Sequence, residues 1–502
     1  MPALGLDARL IDLLRSDLRA VSFALSEVND LMGEEASAAL LRNERVPALL
    51  AARAANSHLA TAVRLFVLWD VVEEADVEAA LPSIGVEGLS RLGLIEHIDI
   101  GVRARVQLQP HEAQIDGETY SWWIASDLGE GLTGTAPGRD HVLGIGGATR
   151  TLLELTPREQ VDSVLDLGTG CGVQAMYAKT HARRVVATDL SKRAVDFARF
   201  NFALNELDIE VREGSLFEPV NKERFDLIVS NPPFVITPDS LRAGGVVEYR
   251  DGGRSGDDLV KEVVVGAASH LTAGGRAVML GNWEIKTDWE EHPRAWAREA
   301  GLHAWFVQRE RLDPAQYVEM WMRDNGARLA KTAVEYEETY RLWFEDFRER
   351  GVSGVGLGII ALANPSGSEP VVVCEEVVTP TSAQGSYMSQ TMSEIFNHEI
   401  TPEITDEEVF TRASDVRQER HFEPGEVDPQ VIIATQGDGF GRRIQLNSQV
   451  SAVLGACDGE LAVGQIITAL HVLTEEDREE ISRRVYSQLG LLVRAGMLRR
   501  IG

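Results

Sequence analysis

Apolar residues in the first part of the chain recur at three- and four-residue spacings, which is the period of one face of an α-helix. Asp7 precedes this pattern and has the short acceptor side chain of a helix N-cap. We therefore predict a helix that begins after Asp7 and contributes to a helical bundle. Its apolar face comprises Leu10, Leu14, Val21, Leu25 and Val28.

Three shorter helical patterns follow, and apolar residues then alternate with polar ones between Val102 and Leu108, as expected of a strand. This order is typical of a winged helix, a module that contacts either DNA or protein. The segment that corresponds to a recognition helix, GVEGLSRLGLIE, holds a single arginine, which is too few cations for phosphate contacts. We predict an N-terminal helical, winged-helix-like domain over residues 1–119 and favour a protein-contact role.

From Tyr120 to about residue 365 the pattern changes to short apolar strands separated by helices. Such alternation is typical of an α/β fold with a doubly wound parallel sheet. We predict a seven-stranded, Rossmann-like domain over residues 120–365, with a helical insertion at about 314–350 that lies outside the sheet. The predicted strands are SVLDLG, RVVATDL, IEVREGSLF, FDLIVSNPP, RAVMLGN, HAWFVQ and GVGLGIIALAN.

The remaining residues, 366–502, carry a weaker pattern. The stretch TPTSAQGSYMSQTMSE has no clear apolar period and is predicted to be a loop. From about residue 443 a strand, helices and a closing strand return, which predicts an α+β, winged-helix-like module. The acidic run EEDREE balances the arginines of this module, so we interpret its surface as mixed and solvated rather than as an RNA-binding patch.

Composition limits the kind of protein. The 502 residues are 44% hydrophobic and 25% charged, as in folded globular chains, and the net charge of −29 disfavours a broadly basic nucleic-acid binder. The three cysteines are widely spaced and match neither a disulfide framework nor a CxxC metal site, so no metal is expected. No apolar run is long enough to predict a membrane span, and we expect a cytoplasmic protein.

A glycine-rich turn, DLGTGCG, follows the first predicted strand of the central domain. Gly168, Gly170 and Gly172 allow the chain to turn tightly and let a ligand approach the backbone. Asp189 ends the next strand, where a carboxylate can accept hydrogen bonds from ribose hydroxyls. Asp166 precedes the glycines, and a negative charge there would repel a pyrophosphate but suit the ammonium group of S-adenosylmethionine.

This combination resembles the class I S-adenosylmethionine-dependent methyltransferases. The resemblance implies that S-adenosyl-L-methionine is the cofactor. It also implies that the glycine loop lines the cofactor, that Asp189 holds the ribose, and that Ser215 and Leu216 flank the adenine. The residues expected at the cofactor are Asp166, Gly168, Thr169, Gly170, Gly172, Asp189, Leu190, Ser215, Leu216 and Asn231.

A second motif, NPPFVITP, begins at Asn231 directly after the fourth predicted strand, where open α/β sheets bind ligands. The nitrogen of an amide or aromatic amine is a poor nucleophile because its lone pair is delocalised. The side-chain oxygen of Asn231 and the backbone carbonyl of Pro232 can accept its two N–H groups and orient it. Pro233 stiffens the turn, and Phe234 offers a face for a planar group. We predict that these four residues form the catalytic site.

The Asn-Pro-Pro-aromatic motif resembles N-methyltransferases that modify exocyclic amines of adenine or guanine, or the side-chain amide of glutamine. Together with Gly252, Gly253 and Gly256 of the later GGRSG, it resembles the HemK-type protein-glutamine methyltransferases that act on release factors, over residues 140–285. Phe234 departs from the tyrosine usual in that family and is also common among ribosomal RNA methyltransferases.

The acidic character of the chain favours a protein substrate, since RNA calls for a basic surface. We therefore predict methyl transfer to a protein glutamine. An N-methyltransferase that acts on adenine or guanine of ribosomal or transfer RNA is the alternative. A third hypothesis is a non-catalytic, cofactor-binding assembly protein, and the presence of both Asp189 and Asn231 argues against it.

Overall fold

The computed structural model describes residues 4–115, 117–135, 137–242, 253–324, 332–377, 384–397, 404–437 and 439–501. Within these residues the chain forms an N-terminal helical part, a central α/β domain and a C-terminal α+β part. No helix in the described part of the chain is long and apolar enough to cross a membrane.

The N-terminal part begins with two helices where the sequence predicts one. Asp7 caps the first as predicted, because its carboxylate accepts hydrogen bonds from the backbone N–H groups of Arg9 and Leu10. After this helix Ser22 has a φ of 54°, a left-handed conformation that ends the helix although the apolar spacing continues. The α-helices of this part are α1 Ala8–Ala20, α2 Leu25–Met32, α3 Glu34–Leu40, α4 Val46–Ala54, α5 His58–Ala62, α6 Glu74–Ala80 and α7 Gly85–Arg91, and a π-helix, Val63–Val67, follows α5.

Two antiparallel hairpins connect this part to the central domain. Their strands are β1 Ile95–Ile98, β2 Gly101–Ala104, β3 Gln107–Ile115 and β4 Glu118–Ser126. β1 pairs with β2, and β3 pairs with β4, so the second hairpin continues across the domain boundary expected at residue 120. The side-chain amide of Asn201, in the central domain, donates to the carbonyl of Ala125 at 2.9 Å and accepts from its N–H at 2.8 Å. The hairpin is therefore fixed to the central domain.

One large sheet forms the centre of the molecule. Its strands are β5 Val161–Leu167, β6 Ala182–Asp189, β7 Glu210–Glu213, β8 Phe225–Ser230, β9 Leu271–Ile285, β10 His303–Leu312, β11 Gly354–Ala363 and β12 Val372–Glu376. Their order is β12-β10-β11-β9-β8-β5-β6-β7, and only β11 runs antiparallel to its neighbours among these described strands.

All seven predicted strands are present, which confirms the α/β, Rossmann-like fold. The predicted number of seven is wrong, because β12 is an eighth strand at the edge of the sheet and lies beyond residue 365. This strand is short and mostly half-buried. Its apolar run, Val371 to Cys374, ends in Glu375 and Glu376 and follows the residue at which the domain was expected to end.

Helices cover both faces of the sheet. Alternate residues of a strand point to opposite faces, and Val164 and Leu165 of β5 accordingly belong to two different cores. Leu227 and Ile228 of β8 divide in the same way. The helices of this domain are α8 Glu130–Thr133, α9 Gly147–Leu155, α10 Val173–Ala178, α11 Lys192–Leu204, α12 Asp239–Arg242, α13 Asp258–His270 and α14 Glu291–Ala300.

Two further helices lie between β10 and β11, where the sequence predicts a helical insertion. They are α15 Pro314–Asp324 and α16 Ala333–Glu349. Tyr317 and Trp343 are buried between these helices and the sheet domain, in a small core that also includes Val235 and Ile236 of the NPPFVITP segment. The insertion therefore packs against the segment that is expected to carry the chemistry.

The stretch TPTSAQGSYMSQTMSE, predicted to be a loop, contains most of a helix, α17 Gly385–Asn397. The prediction is wrong because polar residues occupy buried positions of this helix. Ser389 and Thr391 are buried beside Met388. The Ser389 hydroxyl accepts a hydrogen bond from Arg276 Nη1 at 2.6 Å, so its burial does not leave it unpaired.

The C-terminal part contains two three-stranded antiparallel sheets, β17-β13-β18 and β14-β15-β16, within the described residues. Its elements are β13 Val409–Arg412, β14 Val416–His421, β15 Val431–Gln436, β16 Arg443–Leu446, α18 Ser448–Ala456, β17 Asp458–Ala462, α19 Val463–Thr474, α20 Arg478–Arg494 and β18 Leu498–Ile501. β13 joins the sheet of the module expected from residue 443, although it precedes that residue. The winged-helix interpretation of both flanking parts stays a prediction.

Candidate functional site

The predicted site residues come together at one edge of the central sheet. The glycine loop follows β5, Asp189 ends β6, Ser215 lies just beyond β7, and Asn231 follows β8. These four strands are parallel neighbours, so their carboxyl ends lie at the same edge. Open α/β sheets bind ligands at this edge.

The glycine loop has free space beside the backbone at two of its three glycines. Gly168, Gly170 and Gly172 have φ values of 78°, 55° and 92°, which disfavour other residues. A Cβ atom at Gly168 or Gly170 would meet no atom within 4 Å. A Cβ atom at Gly172 would lie 2.6 Å from the ring of Phe202, so glycine is required there by packing. A ligand can therefore approach the loop at Gly168 and Gly170.

Asp189 ties the glycine loop to the end of β6. Its Oδ2 accepts a hydrogen bond from Gly170 N at 2.9 Å, and its Oδ1 accepts one from Ser191 N at 2.8 Å. The next side chain, Leu190, is 65% exposed. The site edge thus presents a half-buried carboxylate beside an exposed apolar side chain, a combination suited to a ribose and a base.

Asp166 lies beneath the loop rather than on its surface. The side chain is buried, and its Oδ2 accepts hydrogen bonds from Thr169 Oγ1 at 2.5 Å and from Ala175 N at 3.0 Å. Burial raises the pKa of this carboxyl to about 7, although both hydrogen bonds act in the opposite direction. Asp166 and Thr169 therefore shape the loop from inside, and a contact between Asp166 and an ammonium group stays a prediction.

Ser215 and Leu216 form the turn after β7. Leu216 has a φ of 45°, and both residues are half-buried. The Ser215 carbonyl accepts a hydrogen bond from Glu218 N at 2.9 Å, which closes the turn. Phe217 is buried, so the turn exposes Ser215 and Leu216 while the next residue anchors it.

Asn231 holds an unused acceptor at the end of β8. Its Oδ1 is buried and has no hydrogen-bond partner among the described residues. Pro232 is buried, and Pro233 and Phe234 are half-buried. A buried acceptor without a donor is costly unless a ligand supplies the donor. The residues present therefore fit a ligand that brings an N–H group to Asn231.

A hydrogen-bond network behind this motif was not predicted. The hydroxyl of Tyr317, a fully buried residue of α15, accepts from Ile236 N at 2.9 Å and from Asn282 Nδ2 at 3.0 Å. Trp343 Nε1, in α16, donates to the carbonyl of Ile236 at 2.9 Å. The insertion thus holds both backbone polar groups of Ile236. Nothing in the local sequence signals these contacts, because the partners are far apart along the chain.

The described part of GGRSG lies beside Phe234. Gly252 lies outside the described residues, whereas Gly253 and Gly256 have φ values of 72° and 55° and form the turn into α13. Gly256 and Phe234 line the same small cavity, together with Arg254. The structure therefore brings Gly256 of GGRSG close to Phe234 of NPPFVITP.

A buried ionic cluster supports the turn before α13. Asp257 is buried, and its Oδ2 accepts from Glu284 N at 2.8 Å and lies 2.6 Å from His292 Nδ1. The hydrogen bond to Asp257 raises the pKa of His292. Glu284, also buried, pairs with Arg350 at the end of α16. This cluster links the turn, β9 and the insertion.

Two segments of the chain match known families. Residues 143–289, which hold every predicted site residue, match the family described as methyltransferase small domain. This segment is therefore similar to methyltransferase small domains. The match confirms the predicted class I methyltransferase and its cofactor, S-adenosyl-L-methionine. Residues 20–105 match a domain of unknown function, DUF7059.

The matched segment is similar to two groups of methyltransferases, one named for ribosomal RNA and the other for a protein, a release factor. Ribosomal RNA small subunit methyltransferase C of Salmonella newport is 34% identical over 175 residues, 34% of this chain and 46% of that protein. Release factor glutamine methyltransferase of Deinococcus radiodurans is 38% identical over 134 residues, 25% of this chain and 48% of that protein. The chain thus spans about half the length of these relatives.

A solved structure of T. thermophilus RsmC, a 16S rRNA methyltransferase, in complex with AdoMet and guanosine is 18% identical. The match covers 51% of this chain and 65% of that chain, with a TM-score of 0.28.

Proposed function

We propose that the chain is an S-adenosylmethionine-dependent N-methyltransferase that methylates the side-chain amide of a glutamine in a protein. The observation that carries the proposal is the buried Oδ1 of Asn231 at the carboxyl end of β8, which has no hydrogen-bond partner among the described residues. An acceptor in this position favours a substrate nitrogen that still carries hydrogen. The similarity to a release factor glutamine methyltransferase supports the amide.

The glycine loop and its neighbours hold the cofactor in this proposal. Gly168 and Gly170 offer open backbone, and the Asp189 carboxylate accepts hydrogen bonds from the ribose. Leu190 and Leu216 provide apolar contacts to the adenine. When bound, S-adenosyl-L-methionine supplies an electrophilic methyl group on a sulfonium.

The residues after β8 activate the acceptor nitrogen. Asn231 Oδ1 accepts one amide N–H and the carbonyl of Pro232 accepts the other, which orients the nitrogen and draws its lone pair out of conjugation. Pro233 restricts the turn, and Phe234 packs on the plane of the amide. As the N–C bond forms, the bond between the methyl group and the sulfonium would break and leave a neutral thioether. The N-alkylated amide cation is strongly acidic and would lose one proton to water.

The charges beside the site favour a protein over a nucleic acid. Among the described residues near the acceptor motif, Arg242 pairs with Asp239 and Arg254 pairs with Glu262. Cations that are already paired contribute little to phosphate binding. The net charge of −29 acts in the same direction.

A ribosomal or transfer RNA base is the second candidate acceptor. Phe234 can stack on a nucleobase as readily as on an amide, and the similarity to a ribosomal RNA methyltransferase is of comparable extent. Exocyclic amines of guanine and adenine carry the same pair of N–H groups as a glutamine amide. The orienting role of Asn231 is therefore the same for both substrates.

Labelled methyl transfer distinguishes the two acceptors. The chain is incubated with radiolabelled S-adenosylmethionine and a cell extract, and the labelled product is then treated with protease or with ribonuclease. We expect protease alone to degrade the labelled acceptor, and acid hydrolysis of the product to release the label as methylamine. Label that only ribonuclease removes would establish RNA as the substrate. If the protein binds the cofactor but labels no acceptor in the extract, this result would contradict the proposed activity.

A further inference from the structure

A cleft of about 780 Å³ lies between the N-terminal part and the methyltransferase domain. One wall comes from α2 and α3, within the domain of unknown function, and another comes from Gly144, Ile145 and Arg150 of the methyltransferase domain. Strands β3 and β4 contribute the remainder. Its described lining includes no residue of the glycine loop and none of residues 231–234. The described lining of the cleft therefore shares no residue with the catalytic site proposed above.

The cleft contains polar groups that the protein leaves unpaired. Asp30 and Glu34 line the wall from α2 and α3, and Arg150 lines the other. Within the described residues none of these three side chains forms an ion pair or a side-chain hydrogen bond. Ser37, in the same lining, has a buried Oγ with no hydrogen-bond partner in the described chain. A concave site with a few unpaired polar groups among apolar ones is typical of ligand binding.

Two hydrogen bonds connect the cleft to α10, the helix that follows the glycine loop. Gln174 Nε2 donates to the carbonyl of Thr149, next to Arg150, at 3.1 Å. His111 Nε2, in the cleft lining, lies 2.8 Å from the Tyr177 hydroxyl. Burial, together with the charge of Arg150, lowers the pKa of His111 to about 4, so this ring is neutral at pH 7. A molecule in the cleft therefore lies beside His111 and Arg150, and these residues are close to the hydrogen bonds that reach α10.

We propose that the cleft binds a segment of the protein substrate that flanks the methylated glutamine and carries one basic and one acidic side chain. The basic side chain pairs with Asp30 and Glu34, and the acidic one pairs with Arg150. This inference rests on the proposed function, because it assigns the cleft to the same protein substrate.

The charges of the cleft disfavour RNA as its occupant. Two unpaired carboxylates repel phosphate groups, and one arginine does not compensate for both. With His111 neutral, the charged groups named here sum to a net negative lining. A peptide of mixed charge satisfies all three side chains, whereas a polyanion satisfies only Arg150.

Peptide binding to the full-length chain tests the cleft without any need for methyl transfer. The probe is a rhodamine-labelled heptapeptide with a central glutamine, a lysine on one side and a glutamate on the other, and its binding is followed by fluorescence anisotropy at low salt. We expect the double variant Asp30→Lys/Glu34→Lys to bind the probe at least ten-fold more weakly than wild type. The matched variant Glu27→Lys/Glu35→Lys changes exposed acids of the same two helices outside the cleft lining, and we expect it to bind within two-fold of wild type.

Three results would overturn the inference. These are equal affinity of wild type and the Asp30→Lys/Glu34→Lys variant, no binding of the peptide to wild type up to millimolar concentration, and tighter binding of a labelled RNA oligonucleotide that Arg150→Gln abolishes. Circular dichroism and cofactor affinity verify that each variant is folded. Peptide binding in the cleft without a protease-sensitive methyl acceptor in the extract would support the cleft as a peptide site and contradict only the proposed activity.

Discussion

Asn231 is the residue on which the proposed chemistry depends most directly. Its buried Oδ1 has no partner in the described chain and can therefore accept a hydrogen bond from an N–H group of the substrate. We expect Asn231→Ala to lower the rate of methyl transfer about 10²–10³-fold, as loss of one preorganised hydrogen-bonding group does. Cofactor affinity is expected to stay unchanged. Single-turnover transfer and calorimetry measure the two effects.

Asn221→Ala is the matched control for this substitution, because it removes an exposed asparagine that precedes the same strand. Its transfer rate is expected to equal that of wild type. A wild-type rate in Asn231→Ala would remove Asn231 from the catalytic site.

Asp189 is expected to act on binding rather than on chemistry. Its carboxylate holds the Gly170 and Ser191 N–H groups and retains lone pairs for ribose hydroxyls. Hydrogen bonds to a charged group contribute about 1.5–3 kcal/mol, so Asp189→Ala should weaken cofactor binding about 10-fold or more. Asp208→Ala, at an exposed position, is the control in the same calorimetric titration. Wild-type affinity in Asp189→Ala would exclude this carboxylate from the cofactor site.

Asp166 makes stability depend on pH. Burial raises its pKa to about 7 in the folded chain, whereas an unfolded aspartate has a pKa of about 3.9. Between these values the folded state keeps the proton and the unfolded state does not, so the free energy of unfolding falls as pH rises from about 4 to about 7. We expect Asp166→Asn to flatten this part of the pH dependence in urea denaturation. An equally steep fall in the variant would contradict the assignment.

At the scale of elements, the insertion α15–α16 fixes the position of the acceptor motif. Tyr317→Phe would leave the N–H of Ile236 and the amide of Asn282 without their shared buried acceptor. Since small displacements of catalytic groups are costly, we expect kcat to fall about 10-fold or more while cofactor affinity stays the same. Steady-state kinetics with the identified acceptor measures the change.

The control for Tyr317→Phe is Tyr336→Phe, which alters an exposed tyrosine of the same insertion. Equal losses of kcat in both variants would point to a general effect of the insertion. An unchanged kcat in Tyr317→Phe would contradict the positioning role.

The site residues that the sequence predicts differ from those that it misses in how far apart their partners lie along the chain. The glycine loop, Asp189 and Asn231 each lie at the end of a strongly apolar strand, so local pattern and parallel topology suffice to bring them together. Tyr317 meets Ile236 across 81 positions of sequence, and no local pattern encodes that contact. Helix α17 was missed because serine, threonine and glutamine separate its buried Met388, Met392 and Ile395. Strand β12 was missed because its apolar run lies beyond residue 365, where the domain was expected to end.

At the scale of the whole molecule, charge and architecture favour the same class of substrate. The net charge is −29, and two arginines described beside the acceptor motif, Arg242 and Arg254, pair with carboxylates. The cleft between the domain of unknown function and the methyltransferase domain adds Asp30 and Glu34, which form no ion pair within the described residues. A long RNA would have to approach this surface against repulsion, whereas a folded protein needs only local complementarity.

Salt dependence of the reaction therefore tests the whole-molecule argument. An RNA substrate that neutralises six or more phosphates would lose about 10³-fold in affinity between 50 and 200 mM salt, because bound counterions are released. For a protein substrate recognised by a few ion pairs, we expect KM to change less than about 10-fold over the same range, since exposed pairs contribute about 1 kcal/mol or less each. The measurement is KM for the labelled acceptor at several salt concentrations, with cofactor affinity measured alongside as the control. A steep linear fall of log affinity with log salt would identify a polyanionic substrate despite the acidic surface. In that case Phe234 would stack on a nucleobase and not pack on an amide.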